Sequence, residues 1–443
     1  MISERIESCF DSHVHWAATG EFSERLLLTS LGSVKEILQL PKDNLVLRDG
    51  WVLGFGWDQT NWPDADQIHL HILDQWMSDK PVLFTRIDGH VGWVNSAALK
   101  AAGWLNDRGE LRIDVPKGGR IETDAAGKPT GLLVDKAYEL FLHKVPKVRP
   151  NELRRHLLKS MQIFHAEGFT HIRDVGASLD QWTQAMMLDR AQVLNLAVEM
   201  FFHVENLNDL DKHLIFIEGA RRVATPNLRP RGVKIFLDGA LGSEGAWVSE
   251  GYRSGSGHGL QILNEQEIEH VFRATWEKNL EVAIHVIGDA AVHQAVSIAQ
   301  RLKVEGVTGR LHLEHVEIAR PETIELMKSL DVVCHLQPCH WLSDQRWLKE
   351  KVGDKLYSFS FPWRELQKAE VAFDFGSDTP IEPPSVLRTL QALQESSQKG
   401  IAKLLGNPER HMSHSDRAFA SNSYSIFREG RPTEVVFRGQ HLQ

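Results

Sequence analysis

The chain has 443 residues, 42% hydrophobic and 25% charged, with 50 basic against 59 acidic side chains and a formal charge of −9. This composition excludes a mostly disordered chain and argues against a general nucleic-acid binder, and no apolar run is long enough to predict a membrane span. Three cysteines, Cys9, Cys334 and Cys339, cannot build a disulfide framework, and the charged start MISERIESCF lacks the apolar segment of a signal peptide, so a reducing cytoplasm is the expected location. The unusual counts are 13 tryptophans and 22 histidines.

In chain order, ESCFDSHVHW (7–16) reads as a first strand. Its His13 and His15 are two apart, which sends both imidazoles to one face, and Asp11 shares that face. Two neutral imidazoles on one face can grip a divalent metal, although ordinary histidines remain the plainer alternative. Residues 17–157 break the pattern with Trp-, Gly- and Pro-rich pieces such as LGFGWDQTNWPD (53–64) and DGHVGWVNSAAL (88–99). This segment is expected to be an insertion subdomain over the mouth of a barrel. Within it Trp57, Asp88, His90 and Trp93 are candidates for contact with a small-molecule substrate, against the alternative of packing and turn formation.

From about residue 160 apolar strand-like runs alternate with helical patterns. The runs are 169–175, 193–202, 233–238, 281–286, 311–316, 332–337 and 371–376, with helices expected at 265–279 and 290–306. With the first strand they number eight, which closes a (β/α)8 barrel of the TIM type. In that fold residues at the C-terminal ends of different strands converge on one cavity. His285 and His315 end strands, and Asp378 follows the last one in DFGSDTP, so with His13 and His15 they form a candidate metal cluster. His312, three residues before His315, is expected to face the other way. Lys234 in GVKIFLDG shares a face with Phe236 and Asp238, where an ammonium facing the interior is costly unless it is paired with a carboxylate or converted by CO2 into an anionic ligand. Arg173 and Asp174 are expected to pair near the mouth. His340, after the seventh strand, is a further candidate for the pocket wall. Cys334 and Cys339, five apart, are a weak metal pair.

The motifs FDSHVHW, GFGWDQ, DGHVGWVNSAAL, GLLVDKA, GVKIFLDGALGS, HVIGDAA, LEHVE and GSDTP occur in an order that resembles the amidohydrolase superfamily, in its YtcJ-like branch that includes N-substituted formamide deformylases. The resemblance runs from Phe10 to about Pro384. It implies a first metal on His13, His15 and Asp378, a second on His285 and His315, and a carboxylated Lys234 as the bridge. It also implies Asp378 as the base toward water, with His285 and Lys234 assisting catalysis. One or two zinc ions are the implied cofactor, with Mn, Fe, Co or Ni also suited to such ligands. The activity implied is hydrolysis of a non-peptide C–N bond, in an amide or formamide. A lactone or ester hydrolase on the same site, or a binding protein with a degenerate barrel, are the alternatives. The expected division is 1–16 as first strand, 17–157 as insertion, 158–400 as the remaining barrel, and 401–443 as a shortened tail with a strand at 434–439. Relatives in this branch carry a β-sandwich on both sides of the barrel sequence, so here it is expected to be reduced or missing. A small-molecule substrate, no nucleic acid and no membrane complete the expectation, which leaves a homodimer open.

Overall fold

Eight runs rich in β-branched and aromatic residues form one parallel sheet in the computed structural model. They are β1 (Cys9–Val14), β2 (Phe169–Ala177), β3 (Ala197–His203), β4 (Leu228–Phe236), β5 (Glu281–Val286), β6 (Leu311–His315), β7 (Val332–Leu336) and β8 (Ala372–Phe375). Described are residues 9–398, apart from 60, 61, 88, 90, 107 and 116–118. The order of strands in the sheet is their order in the chain. Parallel neighbours need a long crossover, and helices supply it: Leu179–Arg190 joins β2 to β3, Leu210–Arg222 joins β3 to β4, and Asp289–Val304 joins β5 to β6. The helix Glu265–Trp276 starts where it does because Asn264 and Glu267 form a reciprocal capping box. Past β8 the chain returns to β1: Asp378 N donates to His13 O (2.8 Å) and His15 N to Thr379 O (2.9 Å), which nearly closes the barrel.

β3 begins later than the apolar run at 193 predicts. Gln192 has a φ of 58°, and Val193 N bonds Leu188 O, so the start of that run turns off the preceding helix instead. Outward residues such as Val198, Met200, Val233, Ile235, Val282, Ile284 and Leu313 pack in one core with the helices. The alternating inward positions mix a small apolar cluster of Val175, Phe201 and Ala283 with many polar residues: Arg173, Glu199, Lys234, Glu281, His312, Glu314, His335 and Asp374, most of them fully buried.

Residues Glu21–Glu152 form a second compact unit. Its mixed sheet runs Leu26–Leu27, Trp51–Trp57, Val82–Arg86, Val91–Val94, Pro129–Asp135, Gly119–Thr123, with Leu47–Arg48 also paired to Trp51–Trp57. Alternation splits its apolar residues between two faces. Trp57, Trp76, Phe84 and Trp93 pack on one, and Trp51, Leu83, Trp104 and Phe141 on the other. The tail 401–443 with its expected strand, and the chain ends that bear on the expected sandwich, lie outside the described residues. No helix among the described residues is long and apolar enough to cross a membrane.

Candidate metal centre

The C-terminal ends of β1, β6 and β8 bring His13, His315 and Asp378 together, with one potential ligand atom from each lying within 4.8 Å of the others. Two of these residues leave regular strand geometry: φ is 78° at His315 and 60° at Asp378. Positive φ is rare for non-glycine residues and concentrates at functional sites. It explains a departure from simple alternation. His312 and Glu314 already face inward on β6, and the break at His315 and Val316 turns His315 inward as well. His312 therefore does not face away. Its Nδ1 meets His335 Nε2 at 2.8 Å and its Nε2 meets Glu281 at 2.9 Å, inside the barrel.

Asp378 Oδ1 is 3.2 Å from His13 Nε2 and 3.1 Å from His15 Nε2, and Oδ2 is 3.5 Å from His340 Nε2. His13 Nδ1 is engaged by Glu314 Oε2 at 2.7 Å, so the neutral ring carries its proton there and turns a lone pair on Nε2 toward Asp378. His13 Nε2 and Asp378 Oδ1 are both buried without a hydrogen-bond partner. Two acceptors facing each other across that distance need a cation between them. Burial opposes charge on His13, yet the carboxylates of Asp378 and Glu314 outweigh it and raise its pKa, drawing a proton into the gap. A divalent ion supplies the same positive charge, and the donor set of imidazoles and a carboxylate suits one. Burial alone raises the pKa of Asp378, but His13, His15 and His315 reverse it and hold the group well below the usual carboxylate range.

His285 ends β5 with its ring 4.5 Å from that of His315. Burial and then the Lys234 cation lower its pKa to about 3. Burial, with His285 and His13 next, keeps His315 well below the usual histidine value. Both rings stay neutral at pH 7, with lone pairs available. His315 Nδ1 is taken by Gln337 Oε1 at 2.9 Å, leaving Nε2 as its free atom. Lys234 is buried, its Nζ lies 4.2 Å over the Phe236 ring, and it has no ion-pair partner among the described residues. Asp238, the alternative partner, instead accepts backbone N–H groups of Trp247, Ile287 and Gly288 at 2.8–3.0 Å. Burial pushes the Lys234 pKa down to about 8, against the opposing pull of Glu314 and Asp378.

His15 and His13 rest against glycines. A Cβ at Gly176 would fall 2.5 Å from His15 Nδ1, and one at Gly376 the same distance from His13 N. A second cluster comprises His315, Glu317 and His340. Glu317 Oε1 accepts from His340 Nδ1 at 3.1 Å, which aims Nε2 at Asp378. Burial opposes charging of His340, but Glu317 and then Asp378 raise its pKa to about 9.

Sequence reasoning missed Glu314 and misplaced Arg173. Consecutive strand residues face opposite ways, so Arg173 and Asp174 do not pair. Asp174 faces outward and takes the Gln181 amide and the Trp16 and Gly176 N–H groups. Arg173 points inward, forks Glu314 at 2.8 and 3.2 Å, donates to Ser12 O at 3.1 Å, and stacks 4.1 Å from the Phe201 ring. The signal available was LEHVE itself, since Glu314 shares a strand face with an inward neighbour. Cys334 and Cys339 are buried free thiols in the packing, and form no metal group with neighbouring ligand residues among the described residues. Trp57 and Trp93, candidates for a pocket wall, are fully buried in the second unit with ring centroids 5.7 Å apart, which leaves them no surface to offer a substrate. Asp88 and His90 lie outside the described residues.

A sequence profile of the amidohydrolase family matches residues 10–411. The chain belongs to the amidohydrolase family. It is 30% identical over 403 residues to YtcJ of Bacillus subtilis (strain 168), whose name assigns it to the amidohydrolases without a substrate; the match covers 88% of this chain and 73% of that one. It is 24% identical over 318 residues to the N-substituted formamide deformylase of Arthrobacter pascens, covering 69% of this chain and 56% of that protein. An uncharacterized metal-dependent hydrolase from Pyrococcus horikoshii OT3 shares the fold, with a TM-score of 0.74 at 23% identity over 99% of this chain and 88% of that one.

Proposed function

We propose that this protein is a metal-dependent hydrolase of a C–N bond in a small-molecule amide or formamide. The observation that carries the proposal is the pair of buried, unpartnered acceptors, His13 Nε2 and Asp378 Oδ1, facing each other at 3.2 Å. His13, His15, Asp378 and His315 would hold a divalent ion, zinc first, and His285 with Lys234 would extend the set to a second. A metal held there supplies Lewis acidity toward water and toward a carbonyl oxygen. Lys234 is the residue assigned to carboxylation: its free amine adds to CO2, forming an N–C bond and releasing one proton, and so converts an unpaired buried cation into an anion.

Asp378 is ionised at neutral pH and accepts a proton from the attacking water. The water oxygen forms the new C–O bond while the carbonyl electron pair moves onto its oxygen, and the C–N bond breaks when that oxyanion re-forms the carbonyl and the proton passes to the leaving nitrogen. His340, aimed by Glu317, stands beside Asp378 to hydrogen-bond the developing oxyanion. Formamides are favoured by the name of the Arthrobacter relative. A cytoplasmic enzyme is the simplest setting for the free buried thiols.

The test is metal content and turnover on one preparation. Purified protein should carry about one or two divalent ions per chain, and should hydrolyse members of a panel of formamides and amides. Exhaustive chelation should abolish turnover, and Zn or Mn should restore it. Full activity in verified metal-free protein would sink the proposal. Turnover of lactones or esters alone would move the substrate class, and metal binding without turnover of any panel member would favour a binding protein.

A further inference from the structure

The unit Glu21–Glu152 holds a cavity of about 450 Å3 whose lining includes none of the metal-centre residues. Leu53, Leu83 and Tyr138 give it an apolar floor. Arg25, Arg48 and Lys147 line its polar side, and no acidic side chain among the described residues does. A volume of that size is ordinary for a small-molecule site.

The charges behind this wall do not balance. Arg25 Nη2 and Arg48 Nη2 contact the same oxygen of Glu21, at 2.7 and 2.5 Å. The three side chains are only 25%, 16% and 21% exposed. Two largely buried guanidinium groups on one carboxylate leave a surplus positive charge away from bulk water, an unfavourable arrangement without a further anion. Guanidinium groups match carboxylates in a two-point geometry.

We propose that this cavity binds a small organic carboxylate with an aromatic or branched apolar body. The carboxylate meets Arg25 and Arg48 and neutralises their surplus charge. Lys147 adds attraction from the rim, and the body lies against Leu53, Leu83 and Tyr138. The site is independent of the proposed hydrolysis and needs no metal.

The full chain, stripped of metal with a chelator, is titrated calorimetrically with 3-phenylpropionate and separately with the neutral 3-phenylpropionamide. The acid should bind saturably and more weakly as salt is raised, and the amide at least about tenfold more weakly, the equivalent of one charge-assisted contact. Arg48→Gln and Arg25→Gln should each weaken the acid by at least about tenfold, Arg48→Lys by less. Lys147→Gln, on the exposed rim and harmless to the fold, should cost about threefold. Lys234→Met, in the barrel, should leave the affinity for the acid unchanged. Three results would overturn the site: no saturable binding up to about 10 mM, well above the affinity one such contact set supports; equal binding of acid and amide; or binding lost in Lys234→Met but kept in Lys147→Gln and Arg48→Gln.

Discussion

The barrel and the insertion bury their unusual residues for opposite reasons. In the insertion the buried side chains are aromatic: Trp57, Trp76, Phe84 and Trp93 fill one face of the sheet and Trp51, Trp104 and Phe141 the other. Trp57 Nε1 donates to Phe84 O (3.0 Å) and Trp76 Nε1 to Leu40 O (3.0 Å), while Trp93 Nε1 is buried without a hydrogen-bond partner. In the barrel many of the buried side chains facing inward are titratable, beside the small apolar cluster of Val175, Phe201 and Ala283, and several of their polar atoms have no hydrogen-bond partner. A barrel interior is ordinarily filled by branched aliphatic residues. Replacing them with His, Glu, Arg and Asp costs desolvation that packing does not return. The insertion packs six of its tryptophans into its own core, whereas the barrel packs Trp16, Trp182, Trp276, Trp341 and Trp363 among its helices and gathers histidines at its strand ends.

The largest effect that would separate the two regions is at Asp378. Asp378→Asn keeps size and one oxygen but removes the base, so kcat should fall by at least about 10²-fold with KM little changed. The melting temperature should also fall, because the carboxylate that His13, His15 and His315 hold ionised in the folded state gives up that pairing. Steady-state kinetics beside thermal melts decide it. An unchanged kcat would show that another group takes the proton.

Next in size is the ion pair under His13. Glu314 fixes the His13 tautomer, and Arg173 fixes Glu314. Removing one partner, as in Glu314→Leu, leaves the buried guanidinium unpaired and should cost about 3–5 kcal/mol of stability. Arg173→Met with Glu314→Leu removes both charges and should return most of that stability. It should still bind Zn about 10–100-fold more weakly, since His13 has lost its anchor. Competition with a fluorescent chelator gives the metal affinity, and urea unfolding gives the stability. If the double variant binds Zn like the parent, Glu314 and Arg173 are packing and the contrast between the two regions weakens.

Much of the barrel was legible because its strands satisfy two demands at once. Outward positions must be apolar to meet the helices, and chemistry must come from strand ends, so β5, β6 and β7 read clearly as EVAIHV, LHLEHV and VVCHLQ. The gathering of His13, His15, His315 and Asp378 followed from strand ends in a closed barrel. What could not be read was orientation where the backbone breaks its period. His312 and His315 both face inward only because φ turns positive at His315, and no residue-type pattern announces that. The pairing of Arg173 with Glu314 spans 141 residues and depends on which strands lie across the barrel from each other. In the insertion, Trp57 and Trp93 beside Asp and His looked like a pocket wall. A mixed sheet packed on both faces buries them, and sequence alone does not say how many faces of a sheet are covered.

The insertion offers the reciprocal test. Trp93→Ala should destabilise its unit by about 3–5 kcal/mol through cavity formation. The metal affinity of the barrel should stay within about threefold of the parent, a small coupling for separate units. Proteolysis mapped by mass spectrometry would show cleavage concentrating in residues 21–152. A raised KM with an unchanged melting curve would instead return Trp93 to the substrate wall.

The effect smallest at each step of measurement concerns Asp374, four residues before Asp378 and buried in β8. The two carboxylates are pushed in opposite directions. Histidines pull Asp378 down, whereas burial pushes Asp374 up to about 7, only partly offset by Arg173. An acid whose folded pKa exceeds its unfolded value binds its proton more tightly when folded. Its contribution to stability is therefore complete below the unfolded value near 3.8 and is lost as pH rises through about 7. Asp374→Asn is neutral at every pH and escapes that loss. Parent and variant should differ least near pH 4, and the variant should gain on the parent by on the order of 1 kcal/mol per pH unit up to neutrality. Above pH 7 the gap should stop widening. Urea unfolding at intervals of one pH unit measures it. A gap that stays constant from pH 5 to 8 would mean that Asp374 is already ionised in the folded barrel, and that the polar interior is better hydrated than its burial implies.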